Sequence, residues 1–394
     1  MKKQNDLLRR YLETRHKTVE ISRDLEVEDF IIQAADFVSP TKWHHAHVTW
    51  FFEEFVLSIN SGYKRFNPNY SEIFNSYYNS IGSFWNQQKR GILSRPTVKE
   101  IFHYRDFVDL NIKQLFEKEI DTKLLKIIEI GIHHEEQHQE LLQMDIKFNL
   151  FQNPLKPTLK NSIVEPSISK LDKTFTNYDQ VNCFRMGVNY GDLFCYDNET
   201  PEYDEVVRPY CISNELVTNR DYKEFVDSGA ISNFEFWYSD GFKLYSAGKQ
   251  GIPLYWYKDN GEWFEYHIDG TKHLELDAPV KHLSFYEASA FASWKGCRLP
   301  TEAEWEFHAK KSDDQELLNQ LWQWTSSPYK AHPGYKKPEG AIGEYNQKFM
   351  LNQIVLKGGC YFTPKGHHRI SYRNFFYPDQ KWMLSGLRLA KDFL

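Results

Sequence analysis

The sequence predicts an α+β protein of two domains, the first helical and the second loop-rich with short strands. Three observations predict it. Long apolar stretches with helical periodicity fill roughly the first 150 residues. Pro154, Pro157 and Pro166 then interrupt a polar stretch at 151–173. Beyond about residue 175 the chain breaks into short apolar runs punctuated by Gly, Asn, Asp and Pro. At 394 residues it is long enough for two separate cores.

In order along the chain, helices are expected at 4–20, 41–60, 99–117 and 121–149. The third follows Ser94-Arg95-Pro96-Thr97, where Thr97 suits an N-cap and Glu100 completes a capping box. Four helices of this length suggest a four-helix bundle over residues 1–152. A linker is placed at 153–173 and the second domain at 174–394, with helices at 218–227 and 284–295. No internal repeat is evident.

Composition narrows the function. Net charge is −6, from 48 basic and 54 acidic residues without blocks of one sign, which argues against a nucleic-acid partner. Aromatics make up 16%, which fits loop-rich structure packed by large side chains. The five cysteines are odd in number and lack CxxC spacing, as expected for a cytoplasmic chain without structural disulfides. The N-terminus has no apolar signal core, and no apolar run approaches the ~18 residues of a membrane span.

The most informative stretch is HHEEQHQE, residues 133–140. His134 and His138 stand four apart in a run without Gly or Pro. On a helix that is about 400° of turn and about 6 Å of rise, so both imidazoles share a face and can share a metal ion. Ile127, Ile128, Ile130 and Ile132 precede the pair, and Leu141, Leu142, Met144 and Ile146 follow it. A polar turn in so apolar a helix is costly to bury unless it binds something. A third ligand is sought in WHHAHVTWFFEEFVL, 43–57, where His47 shares a face with Trp50, Phe51 and Glu54. His47 is the candidate there, with His44 its rival.

Several blocks resemble a known family. HHEEQHQELLQMDIK (133–147) and SPTKWHHAHVTWFFEEF (39–55) resemble the DinB-like helical domain of the hercynine oxygenases, the sulfoxide synthases of ergothioneine biosynthesis. FNSYYNSIG (74–82) and RGILSRPTVKEIFHYR (90–105) resemble the segment between those helices. The second half resembles a formylglycine-generating-enzyme-type (sulfatase-modifying-factor) domain, a variant of the C-type-lectin-like fold. Its marks are VTNRDYKEFV (217–226), SFYEASAFASWKGCRLPTEAEWEFHA (284–309), LWQWTSSPY (321–329), VLKGGCYFTP (355–364), RISYRNFFYP (369–378) and SGLRLAKD (385–392).

The resemblance implies a non-heme Fe(II) oxygenase that joins the sulfur of cysteine to the imidazole ε-carbon of hercynine with O2, yielding a sulfoxide. It implies iron held by His47, His134 and His138, with open positions for thiolate, imidazole and O2. It turns Gln137 toward the substrate imidazole. It offers Tyr77 and Tyr78 as proton donors, while another branch of the family draws the tyrosine from the second domain, which leaves Tyr377 open. Arg90 and Arg95 are candidate clamps for the thiol's carboxylate, or else interface salt bridges. Phe375 and Phe376 stand where some relatives carry Trp-Asp, which favours cysteine over γ-glutamylcysteine and makes the two rings pocket walls. Asp145 and Glu54 each lie seven residues beyond a ligand and either could orient an imidazole, or be an ordinary solvated carboxylate. Glu140 lies about 200° around the helix from His138, so nothing marks it as a ligand. The pair of copper-binding cysteines of the formylglycine-generating enzymes has no counterpart in the matching C-terminal region, and Cys360, where that block normally has Ser, reads as structural. Alternatives are a histidine substrate as in ovothiol synthesis, a selenosugar as in selenoneine synthesis, a zinc-dependent DinB-like thiol transferase, and a non-catalytic binding module. The oligomeric state is left open.

Overall fold

The computed structural model describes residues 2–159, 174–191, 193–312, 318–339, 343 and 346–393. Most of the expected linker lies outside them. Four long helices form the first half: α1 (Lys2–Ile21), α2 (Thr41–Phe52), α4 (Val98–Phe116) and α5 (Thr122–Gln152), with a single turn, α3 (Tyr70–Ile73), between α2 and α4. Each boundary has a local cause. Thr97 caps α4 through the expected box with Glu100. Asp121 caps α5 by accepting from the Leu124 amide. The expected helix 41–60 is α-helical only to Phe52 and continues as a π-helical turn, Glu53–Leu57. The Glu53 carboxylate reached from that turn accepts from the Tyr104 and Tyr63 hydroxyls at 2.7 and 2.8 Å.

The bundle is tied at one carboxylate. Glu135 of α5 is fully buried and accepts from Arg15 of α1 at 2.9 Å, Arg105 of α4 at 3.1 Å and the Thr18 hydroxyl at 2.6 Å. Arg15 also donates to Thr49 of α2 at 2.9 Å, so all four helices meet there. Burial alone would push the Glu135 pKa up, but the two guanidinium groups outweigh it and hold the carboxyl below its ordinary value. The helices also approach closely: a Cβ at Gly131 would lie 2.5 Å from the Phe52 ring.

The second half carries twelve short strands among the described residues. β1 (Phe175–Tyr178), β4 (Tyr210–Leu216) and β12 (Arg388–Asp392) form one sheet in the order β1-β4-β12. β8 (Trp322–Pro328), β9 (Ile354–Lys357), β10 (Asn374–Phe376) and β11 (Ser385–Gly386) form a second, ordered β10-β9-β8-β11. β2 (Asn182–Met186) pairs with β3 (Tyr203–Val207), and β5 (Trp256–Asp259), β6 (Glu262–His267) and β7 (Gly270–His273) form a meander. The two expected helices are α6 (Asn219–Asp227) and α8 (Phe285–Trp294). Two more were not expected, α7 (Ser239–Ser246) and α9 (Glu302–Lys311). The second of these is announced by Thr301-Glu302-Ala303-Glu304, a capping box formed in full. All five cysteines are free thiols. No helix among the described residues is long and apolar enough to cross a membrane.

The second half packs along α5. Trp322 and Thr363 donate to Glu140 at 2.6 and 2.5 Å, Lys147 meets His282 at 2.9 Å, and Gln137 meets Tyr372 at 2.6 Å. Burial pushes Glu140 up to about 7 against those donors. Removing the Glu135 carboxylate leaves the buried Arg105 without an ion-pair partner among the described residues and Arg15 with Asp109 alone. Glu135→Ala is expected to cost about 3–5 kcal/mol, seen as a lower urea midpoint by circular dichroism; an unchanged midpoint would deny it the central place.

Candidate metal centre

Residues at 134, 138 and 145 lie within about 40° of one another around α5, since steps of four and seven nearly complete whole turns. That face meets α2 at His47. The His47 Nε2 lies 3.1 Å from the His134 Nε2. Ring centroids are 4.8 Å apart for His47 and His138, and 4.7 Å for His134 and His138. One nitrogen from each of the three rings falls within 4.8 Å of the others. His47 and His134 are buried; His138 and Gln137 are half-buried, so the cluster reaches the surface on their side.

The donor chemistry suits a cation. Burial pushes His134 down to about 3 and lowers His47 and His138 as well, which keeps the rings neutral and their lone pairs available. The His47 Nδ1 is 2.6 Å from the Phe74 carbonyl, which can only accept, so Nδ1 carries the proton and Nε2 the lone pair. Two nitrogens each about 2.1 Å from one ion, at right angles, lie about 3.0 Å apart. The observed 3.1 Å fits that spacing.

Neighbours hold the rings in place. His47 stacks on Trp43 at 4.6 Å and on Trp50 at 5.6 Å, both nearly parallel to it. His44 is engaged elsewhere: one nitrogen meets His138 Nδ1 at 2.9 Å and the other meets Asp145 Oδ2 at 2.9 Å. Asp145 also accepts from the Ser39 amide at 2.8 Å and the Trp382 indole at 3.0 Å. Asp145 thus acts on an imidazole through His44, whereas Glu54 pairs with Arg65 and lies away from the histidines.

The other expected residues divide. Tyr78 is fully buried, 5.7 Å from the Trp50 ring and stacked on Tyr77 at 4.6 Å. Arg90 is buried with its guanidinium 3.3 Å above the Trp43 ring, and donates to the Ser39 hydroxyl at 2.8 Å. Its Nε has no hydrogen-bond partner among the described residues, and burial lowers its pKa to about 9. Arg95 is not brought to the cluster: it is exposed and donates to the neighbouring Ser94 carbonyl. Phe375 stacks on Tyr329 at 4.0 Å, and Phe376 packs on Trp382 at 5.2 Å. Tyr377 is exposed. Tyr372, which holds the Gln137 amide, was not singled out from sequence, although it stands inside the RISYRNFFYP block.

Residues 182–319 match the sulfatase-modifying factor enzyme 1-like domain family. The hercynine oxygenase of Mycobacterium tuberculosis is 25% identical over 306 residues, spanning 66% of this chain and 70% of that protein. The hercynine oxygenase of Mycolicibacterium smegmatis is 27% identical over 316 residues, with the same coverage of 66% and 70%. Ergothioneine biosynthesis protein 1 of Schizosaccharomyces pombe is 23% identical over 232 residues, spanning 50% of this chain and 28% of that protein. The chain is thus similar to the hercynine oxygenases over about two thirds of its length, and its second half matches the sulfatase-modifying-factor domain type.

Proposed function

We propose that this chain is an iron(II)- and O2-dependent sulfoxide synthase that couples cysteine to hercynine in ergothioneine biosynthesis. The observation that carries the reading is the meeting of three neutral, largely buried imidazoles within 4.8 Å. The three histidines stand on α2 and α5, and Tyr372 and Trp382 of the second half reach Gln137 and Asp145 beside them. Bound there, iron supplies the redox partner that triplet O2 needs.

The balance of the reaction is closed by its substrates. A C–H bond of hercynine and the S–H bond of cysteine are lost, and a C–S bond forms. One oxygen atom becomes the sulfoxide and the other leaves as water with the two hydrogens. The chain's own groups then have defined tasks. His47, His134 and His138 hold the ion. The buried Arg90 guanidinium, which has no ion pair among the described residues, takes the carboxylate of the thiol. Gln137, its amide held by Tyr372, faces the hercynine ring. Tyr78, buried with Tyr77 stacked on it, donates a proton from its phenol. Phe375 and Phe376 offer no carboxylate for a γ-glutamyl amine, which supports free cysteine as the donor.

The test is anaerobic reconstitution with iron(II), then O2 with hercynine and cysteine. O2 uptake should require both substrates, and mass analysis should give hercynylcysteine sulfoxide. His134→Ala should lose iron and uptake together; coupling without O2 would replace this reading by a zinc-type thiol transfer. Arg90→Met should raise the KM for cysteine by roughly tenfold or more with a smaller change in kcat; an unmoved KM would exclude Arg90 as the clamp. Asp145→Asn, which weakens the hold on His44 and so on His138, should lower iron affinity about 10–100-fold in a chelator competition.

A further inference from the structure

A second cluster lies on the face of α5 turned toward the second half. His133 and Glu136 stand three apart there, about 60° from each other around the helix. His367 reaches them from the segment between β9 and β10. The His133 and His367 Nδ1 atoms are 3.0 Å apart, and each lies 2.9 Å from the Glu136 Oε2. All three residues are buried, and the Phe194 ring covers His133 face to face at 3.6 Å.

Hydrogen bonding alone serves this triangle poorly. If both Nδ1 atoms donate to the carboxylate, two N–H groups stand 3.0 Å apart; if one is bare, its lone pair faces an oxygen that only accepts. A cation serves it well. Two imidazole nitrogens and one carboxylate oxygen, each about 2.0–2.2 Å from an ion, would lie about 3 Å apart. The place is already one of positive charge. The Arg10 Nη2 is 2.9 and 3.2 Å from the two His133 nitrogens, and 3.0 and 3.1 Å from the Glu136 oxygens. The Arg10 side chain is one-third exposed, so it can leave for solvent.

We propose that His133, Glu136 and His367 form a second divalent-metal site, distinct from the His47–His134–His138 cluster, that takes an ion of the zinc class and fastens α5 to the second half. Two corners come from the bundle and one from the second half, so the ion acts across the junction. Arg10 is its competitor: it neutralises the carboxylate when the ion is absent and yields when it binds.

The test uses the full chain and zinc ions alone, with bound metal counted by mass spectrometry after dialysis. The wild-type chain should retain two zinc ions, and His47→Ala and His367→Ala one each. The double variant should retain none. Arg10→Met should tighten the second ion roughly tenfold. His47→Ala leaves the second cluster untouched, and X-ray absorption of its zinc should show nitrogen and oxygen neighbours. A His47→Ala chain without zinc overturns the proposal, whatever becomes of the first cluster. Zinc that survives in the double variant also overturns it, as an ion bound elsewhere.

Discussion

The Glu135 carboxylate, held between Arg15 and Arg105, sets the rotation of α5, and the rest of the molecule depends on that rotation. An isolated carboxylate in the core would take up a proton; two guanidinium groups keep it ionised and orient it toward α1 and α4. With that side of α5 assigned, its neighbours in sequence have no choice of direction. His134 and His138 face α2, and His133, Glu136 and Glu140 face the second half. Breaking such a pair costs far more than a surface ion pair contributes, because the surviving charges remain buried.

α5 therefore has no solvent side over most of its second half. One helix carries the bundle's central ion pair, the histidine cluster and the junction with the second half. This explains why its sequence resists a simple amphipathic reading: buried polar residues such as Glu135, Glu140, Asp145 and Lys147 occur on several faces, each with a partner of its own. The second half contributes few groups next to the histidines. Trp382 steadies Asp145, and Tyr372 steadies Gln137. Both act at one remove, which suits a covering scaffold.

Much of this was legible before any coordinates. Four helices and the shared face of His134 and His138 follow from spacing, because the helix converts sequence distance into angle. His47 followed from a shared face with Trp50 and Phe51. Spacing is silent on contacts between distant segments. It could not say that His44 would bridge His138 and Asp145 while Glu54 went to Arg65, nor that Arg90 would be buried and Arg95 exposed. It could not bring Arg10 and His367 to His133, residues separated by more than a hundred positions. The start of α9 is marked by the capping box at Thr301 and Glu304, whereas no apolar periodicity singles the helix out. The π-helical turn after Phe52 has no signature of its own in the residues.

The column formed by Arg90, Trp43 and His47 has a consequence for the order in which the centre is assembled. A guanidinium rests on one indole, and that indole rests on a ring of the histidine cluster. A buried positive charge this close, only partly offset by the Asp145 carboxylate, works against a cation among the imidazoles. An anionic group settling on Arg90 cancels that repulsion. Thermodynamic reciprocity then requires that the ion, once present, strengthen the hold on the anion by the same factor. On the proposed function, loading of the centre and capture of an acidic substrate would form a single linked equilibrium.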